Sequence, residues 1–373
     1  MRLSLLASSS GMVATALLVA HTRADAQTER RVLSGDRVAI YNLAGKLRVE
    51  SGDGSEVVVE VTRSGRDSDR LRLEQGTISG YETLRVLYPA DRIVYPELGR
   101  YNRSTITVRD DGTWGNELSR GERGDRGDRD YRSPRDYSDR GRNKVEISSS
   151  GSGLEAYADL RVLVPRGQRI VIHNATGDAR ITMVDADLSV EVASSTITAE
   201  RTRGRLSLDT GSGGVSVTDA QGDLDLDTGS GGVTITGVRG GSLNMDTGSG
   251  SIRGGDIDVS DLKADVGSGG VRLERVRASR VKVDAGSGGT ELELLAPVDD
   301  MKVEAGSGGV TVRLPANLSA SVDLETGSGG IDTDFSVQVT KFEQHHIVGR
   351  IGDGRGRIKI EAGSGQVRLL RGN

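Results

Sequence analysis

Apolar and polar residues alternate in short runs along most of this chain. Leu224-Asp225-Leu226-Asp227 and Val233-Thr234-Ile235-Thr236 are typical runs, and glycine-rich turns separate them. Every second residue of a β-strand points to the same face, so this period of two predicts strands with one buried side. The pattern therefore predicts an all-β protein built from short strands.

One motif recurs at a nearly constant interval. An acidic residue and a small residue precede Gly-Ser-Gly eight times between Asp209 and Gly365, at spacings of 18, 19, 19, 19, 20, 21 and 36 residues. Leu188–Ser195 aligns one period earlier and Ile170–His173 one period before that, which makes ten units. The motif serines are Ser212, Ser230, Ser249, Ser268, Ser287, Ser307, Ser328 and Ser364. A fixed period of this length is typical of a stacked architecture.

Two ways of closing the repeat are compatible with two strands per unit. In a solenoid each unit is one coil, and equivalent residues stack about 4.8 Å apart; in an antiparallel meander they lie two strands apart. We favour an elongated single-chain β-solenoid with about 19 residues per coil, because one turn is nearly invariant while the other drifts. Glycine is expected in the invariant turn because it tolerates a positive φ. The gap of 36 residues before Ser364 is interpreted as one period plus an insertion around His345, His346 and Gly352–Gly356.

The chain divides into a leader and two further regions. Residues 1–26 read as a secretory signal peptide, with Arg2, an apolar stretch and Ala24-Asp25-Ala26 before the cleavage point. A retained membrane anchor is the alternative, although the apolar stretch is short and interrupted. Residues 27–165 form a β-rich N-terminal region that we expect to cap the stack, and residues 166–373 form the repeat solenoid. Export to the periplasm, the cell surface or the medium follows from the leader.

A segment of about 109–144 interrupts the N-terminal region. It carries arginine at every third position from Arg120 to Arg135, between glycines and aspartates, and almost no apolar residues. Such a composition buries too little surface to order itself, so we expect a disordered spacer. Its excess of basic charge also suggests a loose attraction to anionic polysaccharide or lipid headgroups.

Composition narrows the classes of protein further. The chain has 373 residues with 53 glycines, two phenylalanines, one tryptophan and no cysteine. A thin core of Val, Leu and Ile fits these numbers better than a wide globular core does. The net charge of −5 argues against a nucleic-acid partner.

The repeats resemble a known family. Leu206–Val217, Leu224–Ile235 and Leu243–Ile252, with their Asp-Thr-Gly-Ser-Gly turns, are similar to the bacterial putative-adhesin family, a β-strand-repeat domain of unknown function. The resemblance covers roughly residues 160–370, with a weaker echo in Val38–Val49. The resemblance implies the β-repeat fold, but it assigns no functional site to any residue.

The motif acids predict a charged column beside the turns. If the leucines point inward, the acidic residues of successive coils share one outer edge, and a second column two positions earlier contains Lys263, Lys282, Lys302 and Lys359. The earlier coils lack those lysines. Asp209, Asp225, Asp227 and Asp246 are therefore our candidate residues for a weak Ca²⁺ site, because Ca²⁺ prefers clustered carboxylate oxygens. The alternative is that each carboxylate accepts hydrogen bonds from amides of its own turn.

Other motifs carry little chemistry. Asp-Thr-Gly-Ser is also the aspartic-protease signature, but here it grades into Asp-Val-Gly-Ser and Glu-Ala-Gly-Ser without losing the period. The Arg-Gly-Asp tripeptides at Arg123 and Arg126 arise readily in an Arg/Gly/Asp-rich segment, and adjacent His345 and His346 rarely bind one metal ion together.

We therefore expect an exported, non-enzymatic, adhesin-like β-repeat protein with no cofactor other than the hypothetical Ca²⁺, and with no transmembrane segment after signal cleavage. Its surface would contact cell-envelope or extracellular polymers. Two alternatives stay open: an envelope accessory or stress-response protein that acts through a protein partner, and a β-helix carbohydrate-active enzyme, which the scarcity of aromatic residues disfavours.

Overall fold

A computed structural model describes residues 28–98, 103–115 and 142–372. Within these ranges the chain forms β-strands and two short 3₁₀ turns, Ser68–Arg70 and Pro96–Leu98. The strands of the N-terminal region are β1 (Thr28–Leu33), β2 (Arg37–Ala44), β3 (Leu47–Ser51), β4 (Val57–Ser64), β5 (Arg72–Ile78), β6 (Tyr81–Leu87), β7 (Arg92–Val94), β8 (Arg103–Arg109), β9 (Arg142–Ser148) and β10 (Tyr157–Val164).

The repeat region contributes the remaining strands. They are β11 (Arg169–Thr176), β12 (Ala179–Thr182), β13 (Asp187–Val192), β14 (Ile197–Glu200), β15 (Leu206–Thr210), β16 (Val215–Thr218), β17 (Leu224–Thr228), β18 (Val233–Thr247), β19 (Ile252–Val266), β20 (Val271–Ala285), β21 (Thr290–Leu294), β22 (Asp300–Ala305), β23 (Val310–Leu314), β24 (Ala320–Thr326), β25 (Ile331–Thr333), β26 (Gln338–Glu343), β27 (His346–Ile351), β28 (Gly356–Ala362) and β29 (Val367–Arg371).

Successive coils pair in parallel, and this confirms the solenoid. Leu206 lies opposite Leu224, Leu224 opposite Leu243, and Leu243 opposite Leu262, so equivalent residues stack directly. The antiparallel meander is excluded for the repeats, because it would separate equivalent residues by two strands.

The stacked strands form two columns that face each other. From one end to the other, the first column runs β5, β6, β2, β11, β13, β15, β17, the later halves of β18, β19 and β20, then β22, β28, β24, β27 and β26. The second column runs β1, β4, β10, β3, β12, β14, β16, the earlier halves of β18, β19 and β20, then β21, β23, β29 and β25.

The core is a narrow apolar layer between the two columns. Leu208 and Leu226 on the first column are fully buried, as are Val217 and Ile235 on the second. Each such side chain contributes about 1.5–3 kcal/mol when it leaves water. One continuous cluster of this kind extends from Leu33 to Leu369, so small aliphatic residues suffice for the whole core.

The glycines of the Gly-Ser-Gly turn are required for a reason other than the expected one. None of them has a φ in the left-handed region. Instead, a Cβ built on Gly231 would lie 1.8 Å from the carbonyl oxygen of Gly213, and one on Gly250 would lie 1.9 Å from that of Gly231. Successive turns therefore stack backbone on backbone, and a side chain has no room between them.

The threonine of Asp-Thr-Gly-Ser fastens the turn. The Thr247 hydroxyl accepts a 3.0 Å hydrogen bond from the amide of Gly250 and donates a 2.7 Å bond to the carbonyl of Gly231 in the preceding coil. Thr210 makes the equivalent pair of bonds with Gly213 and Ser195. The motif is thus a structural element of the stack.

The last two coils are stacked in reverse of their chain order. β28 pairs with β22 on one side and with β24 on the other, and β29 lies in the same way between β23 and β25. Residues 356–371 are therefore inserted between the coil of 300–314 and the coil of 320–333. The inserted segment before them is a hairpin, β26–β27, that pairs with β24.

The N-terminal region contributes a coil of its own. β2 pairs with β11 and β3 with β12, so the echo in Val38–Val49 is a stacked coil. A small sheet of β7, β9 and β8 covers its outer face and buries most of the aromatic residues there, including Tyr41, Tyr95 and Trp114.

The arginine-rich segment is ordered at both ends. Arg109–Gly115, predicted to be disordered, forms the end of β8 and a turn in which Trp114 is buried and donates a 3.1 Å hydrogen bond to the carbonyl of Asn42. Residues 142–144 belong to β9. The rest of the segment, 116–141, and the signal peptide, 1–26, lie outside the described residues.

Candidate binding surfaces

A row of carboxylates follows the outer face of the first column. Its members occupy equivalent positions in successive strands: Glu191, Asp209, Asp227, Asp246, Asp265, Asp284, Glu304, Glu361 and Glu325. Glu361 precedes Glu325 in this row because the last two coils are reversed. Neighbouring strands are about 4.8 Å apart, and like charges at such a distance repel by about 1 kcal/mol in water.

A row of lysines offsets this repulsion over the later coils. Lys263, Lys282, Lys302 and Lys359 stack on one another two positions before the acids. Lys302 lies 2.7 Å from Glu304 and Lys359 lies 2.6 Å from Glu361. A hydrogen bond from Lys302 lowers the pKa of Glu304, whereas burial and then repulsion from Asp265 and Glu304 raise the pKa of Asp284.

The four predicted calcium residues do not share one row. Asp209, Asp227 and Asp246 are consecutive members of the carboxylate row, and each already makes an interaction. Asp225 lies in the neighbouring row between Ser207 and Asn244. No group of three or more histidine, aspartate or glutamate side chains in the described part of the chain is placed to hold a metal ion. The calcium site stays a prediction from the sequence.

The carboxylate row ends at an aromatic cluster. His173 pairs in register with Glu191 on one side and with Tyr41 on the other, and its ring stacks on that of Tyr41 with centroids 4.6 Å apart. The Nδ1 atom of His173 lies 3.1 Å from Oε2 of Glu191, and the contact lacks the geometry of a hydrogen bond. Burial raises the pKa of Tyr41 to about 12. In the sequence, this cluster is marked by a histidine and a tyrosine at the position that is acidic in the later coils.

The two histidines of the insertion fasten the terminal hairpin. His346 Nε2 lies 2.8 Å from Asp323 Oδ1, and His345 Nδ1 lies 3.0 Å from the carbonyl oxygen of Gly329. Both contacts join the turn of the hairpin to the coil of 320–333, so these residues act in packing.

The second column carries a basic trough that the repeat pattern did not predict. It has a volume of about 480 Å³, and glycines such as Gly270, Gly289 and Gly309 form its floor. Arg253, Arg272 and Arg368 line it. The signal in the sequence was an arginine after the first apolar residue of these strands, as in Ile252-Arg253 and Val271-Arg272. Arg368 joins them only because β29 lies against β23.

The arginines of the trough differ in their partners. Arg272 lies 2.9 Å from Glu274 and 3.3 Å from Glu291, so its charge is partly balanced. Arg368 donates hydrogen bonds to the amide oxygen of Gln366, a neutral partner, and lies in register with Asp332 of β25. Glu291 also lines the trough, in register between Arg272 and Thr311, so three arginines accompany one carboxylate. The lining as a whole is net basic, in contrast to the carboxylate row on the first column.

The architecture and its charged rows define a class of protein, a two-column parallel β-solenoid with surface ladders of repeated residues. A family model described as Toastrack DUF4097 matches residues 159–370. The chain belongs to this family, and the resemblance drawn from its repeats is confirmed. No curated protein matches the chain.

The chain also matches a solved structure from Clostridium sporogenes ATCC 15579, which is described as a "putative cell adhesion protein". It is 12% identical, and the match covers 93% of this chain and 100% of that one at a TM-score of 0.16. A TM-score this low carries no argument about fold or function. No helix in the described ranges is both long and apolar enough to span a bilayer.

Proposed function

We propose that this protein is an exported, non-enzymatic, adhesin-like protein that binds an anionic polymer of the cell envelope or the extracellular matrix. The observation that carries the proposal is the basic trough along Arg253, Arg272 and Arg368. The planar guanidinium of arginine fits carboxylate and phosphate groups with two parallel hydrogen bonds, so anionic polymers are its natural ligands.

The shape of the trough favours a chain over a small molecule. It crosses several coils, because its lining residues come from β19, β20, β21, β23 and β29. A shallow, open surface binds a small ligand weakly, whereas a linear polymer engages several arginines at once and gains from that multiplicity. A carboxylate-bearing polysaccharide meets these requirements.

The distribution of charge restricts the choice of partner. The carboxylate row repels a polyanion from the first column, so binding would be one-sided. The net charge of −5 weakens any general attraction to nucleic acid. Lipid headgroups share the anionic chemistry, and the experiment below separates them from polysaccharide.

The test compares binding of polygalacturonate and of vesicles rich in anionic lipid to purified protein. We expect polygalacturonate to bind, and the double variant Arg253→Ala/Arg368→Ala to weaken that binding about tenfold, since each lost charge-assisted contact is worth only a modest amount at an exposed site. The matched control is Arg205→Ala/Arg357→Ala, which removes the same charge from exposed positions outside the trough.

Equal weakening by both double variants would show a diffuse charge effect and contradict the proposal. Binding of vesicles alone would assign the trough to lipid headgroups. Cell fractionation tests the export that the signal peptide implies, and recovery of the protein only in the cytoplasm would contradict it.

A further inference from the structure

The two ends of the solenoid are closed differently. At the N-terminal end both columns continue beyond the coil of β2 and β3, the first through β6 and β5 and the second through β10, β4 and β1. At the C-terminal end the first column continues through β27 and β26, but the second stops at the three residues of β25. Within the described residues, the tip of the terminal hairpin therefore extends the core face without a sheet opposite it.

The exposed part of that face is apolar. A bulge at Thr340 shifts the register of β26, so that Val339 lies opposite Gly349 and Phe342 lies opposite Ile347. Gly349 and Ile347 in turn lie opposite the buried Val322 and Leu324, which places Val339 and Phe342 on the core side of the sheet. Yet Phe342 is 74% exposed and Val339 is 48% exposed. The other phenylalanine, Phe335, is 5% exposed.

The opposite side of the same strand carries balanced charge. Lys341 and Glu343 flank Phe342, and their charged atoms are 3.2 Å apart. If two copies of β26 run antiparallel about a two-fold axis through Phe342, Lys341 of each copy lies opposite Glu343 of the other. The edge is thus complementary to itself in charge.

We propose that β26 is a self-association edge, at which two copies of this protein pair end to end with Phe342 opposite Phe342 across the two-fold axis. The pairing gives Phe342 an apolar neighbour of its own kind and sets two Lys341–Glu343 pairs on the outer side of the joined sheet. Such isologous contacts close on themselves and give a dimer.

The bulge and the turn confine the contact. Bulges and charges on edge strands limit pairing with other chains, and here the bulge at Thr340 leaves only the segment 341–343 regular. The interface is small, so we expect a weak and reversible dimer. Its consequence is a rod with two basic troughs, which would strengthen attachment to a polymer through bivalency.

The experiment is sedimentation velocity over a wide range of protein concentration. We expect the sedimentation coefficient of the unmodified protein to rise with concentration, and that of Phe342→Ser to stay at the monomer value. Met183→Ser is the matched control, because Met183 is 53% exposed on a different part of the surface, and it should dimerise normally. Circular dichroism of Phe342→Ser should be unchanged, since the side chain is exposed.

Exchanging the charges of Lys341 and Glu343 distinguishes this paired geometry from non-specific association. Lys341→Glu should weaken the dimer about tenfold or more, and Lys341→Glu/Glu343→Lys should restore it, because the exchanged charges again face each other. A monomer at every concentration would overturn the proposal. So would a dimer of Phe342→Ser as strong as that of the unmodified protein, or a failure of the exchange to restore association.

Discussion

The amide of Gly363 donates a 2.8 Å hydrogen bond to the carbonyl of Ala305, so the final coil of the chain docks on a coil that lies two units earlier. The coil of 320–333 is displaced outward by one position, and the Thr326 hydroxyl reaches the carbonyl of Gly365 at 2.8 Å. The C-terminal coil thus has a neighbour on both faces, and the terminal hairpin closes the first column above it.

Because the last coil is internal to the stack, its core residues should matter as much as those in the middle of the rod. Ile360 is fully buried between Val303 and Leu324, and Ile360→Ala should lower the free energy of unfolding by about 2–5 kcal/mol. Leu370→Ala, at a half-buried position of β29, is the control and should cost much less. Urea denaturation measures both, and equal small losses would mean that the last coil is a frayed end.

The close stacking of the turns predicts which glycines cannot be replaced without loss of stability. A methyl group on Gly231 would overlap the backbone of the preceding turn, so Gly231→Ala should destabilise the protein by about 3 kcal/mol. Gly330 follows the same motif in the outermost coil, and a Cβ there would have no atom within 4 Å. Gly330→Ala should therefore be tolerated. Thermal unfolding of the two variants tests whether glycine is required where the turns stack closely and dispensable at the open position of the outermost coil.

A buried hydroxyl at Thr290 lacks a hydrogen-bond partner among the described residues. Its neighbours at the same position of the adjacent coils are Val271 and Val310. Thr290→Val should therefore stabilise the protein by about 1 kcal/mol, because it removes an unsatisfied polar group without changing the volume. Thr228→Val is the contrasting variant and should destabilise, since its hydroxyl bonds both the amide and the carbonyl of Gly231.

The carboxylate row should make stability depend on pH in opposite ways at two neighbouring positions. The pKa of Asp284 is raised in the folded state by burial and by Asp265 and Glu304, so its ionised form costs stability at neutral pH. Since Asp284 is exposed by surface area, repulsion is the part that a substitution should relieve. Asp284→Asn should raise the melting temperature at pH 7 by on the order of 1 °C, and the gain should vanish below about pH 4, where the carboxyl is protonated in both states.

Glu304 should behave in the opposite way. Its pKa is lowered by Lys302, so its ionised form stabilises the fold above the ordinary pKa of glutamate, and this contribution is lost as the pH falls through the lowered value. Glu304→Gln should therefore lower the melting temperature at pH 7 and have little effect in acid. Melting curves of both variants between neutral pH and about pH 3 check the signs.

The calcium hypothesis has a direct test. If Asp209, Asp225, Asp227 and Asp246 bind Ca²⁺ as weakly as open extracellular sites do, millimolar Ca²⁺ should give a calorimetric signal and a higher melting temperature. Asp227→Asn, at the centre of the set, should abolish both effects, while Asp300→Asn at the far coils should not. Absence of heat and of any thermal shift at millimolar Ca²⁺ would remove this site.

Much of the fold was predictable because the residues within each repeat specify its strands and turns. The alternation in Leu224–Asp227 and Val233–Thr236 specifies which side of each strand is buried, and the period places equivalent residues in register. The carboxylate and lysine rows followed from the same register. The trough could not be predicted in this way, because it requires Arg368 to lie beside Thr311. The spacing of the motif gives no sign that β29 pairs with β23 of the coil two units earlier.

The sequence by itself determined the all-β class, the coil length, the inward and outward residues and the family, because period-two alternation and a fixed repeat are local properties of the chain. Only the tertiary structure decided the order of the last two coils, the pairing of β2 and β3 with the first coil of the repeats, and the exposure of the edge strand at Phe342. The physical reason is that nearly identical coils offer nearly identical docking faces. Contacts outside the repeated coils therefore distinguish the positions: the terminal hairpin and Phe335 at the C-terminal end, and the small aromatic sheet on the outer face of the β2–β3 coil.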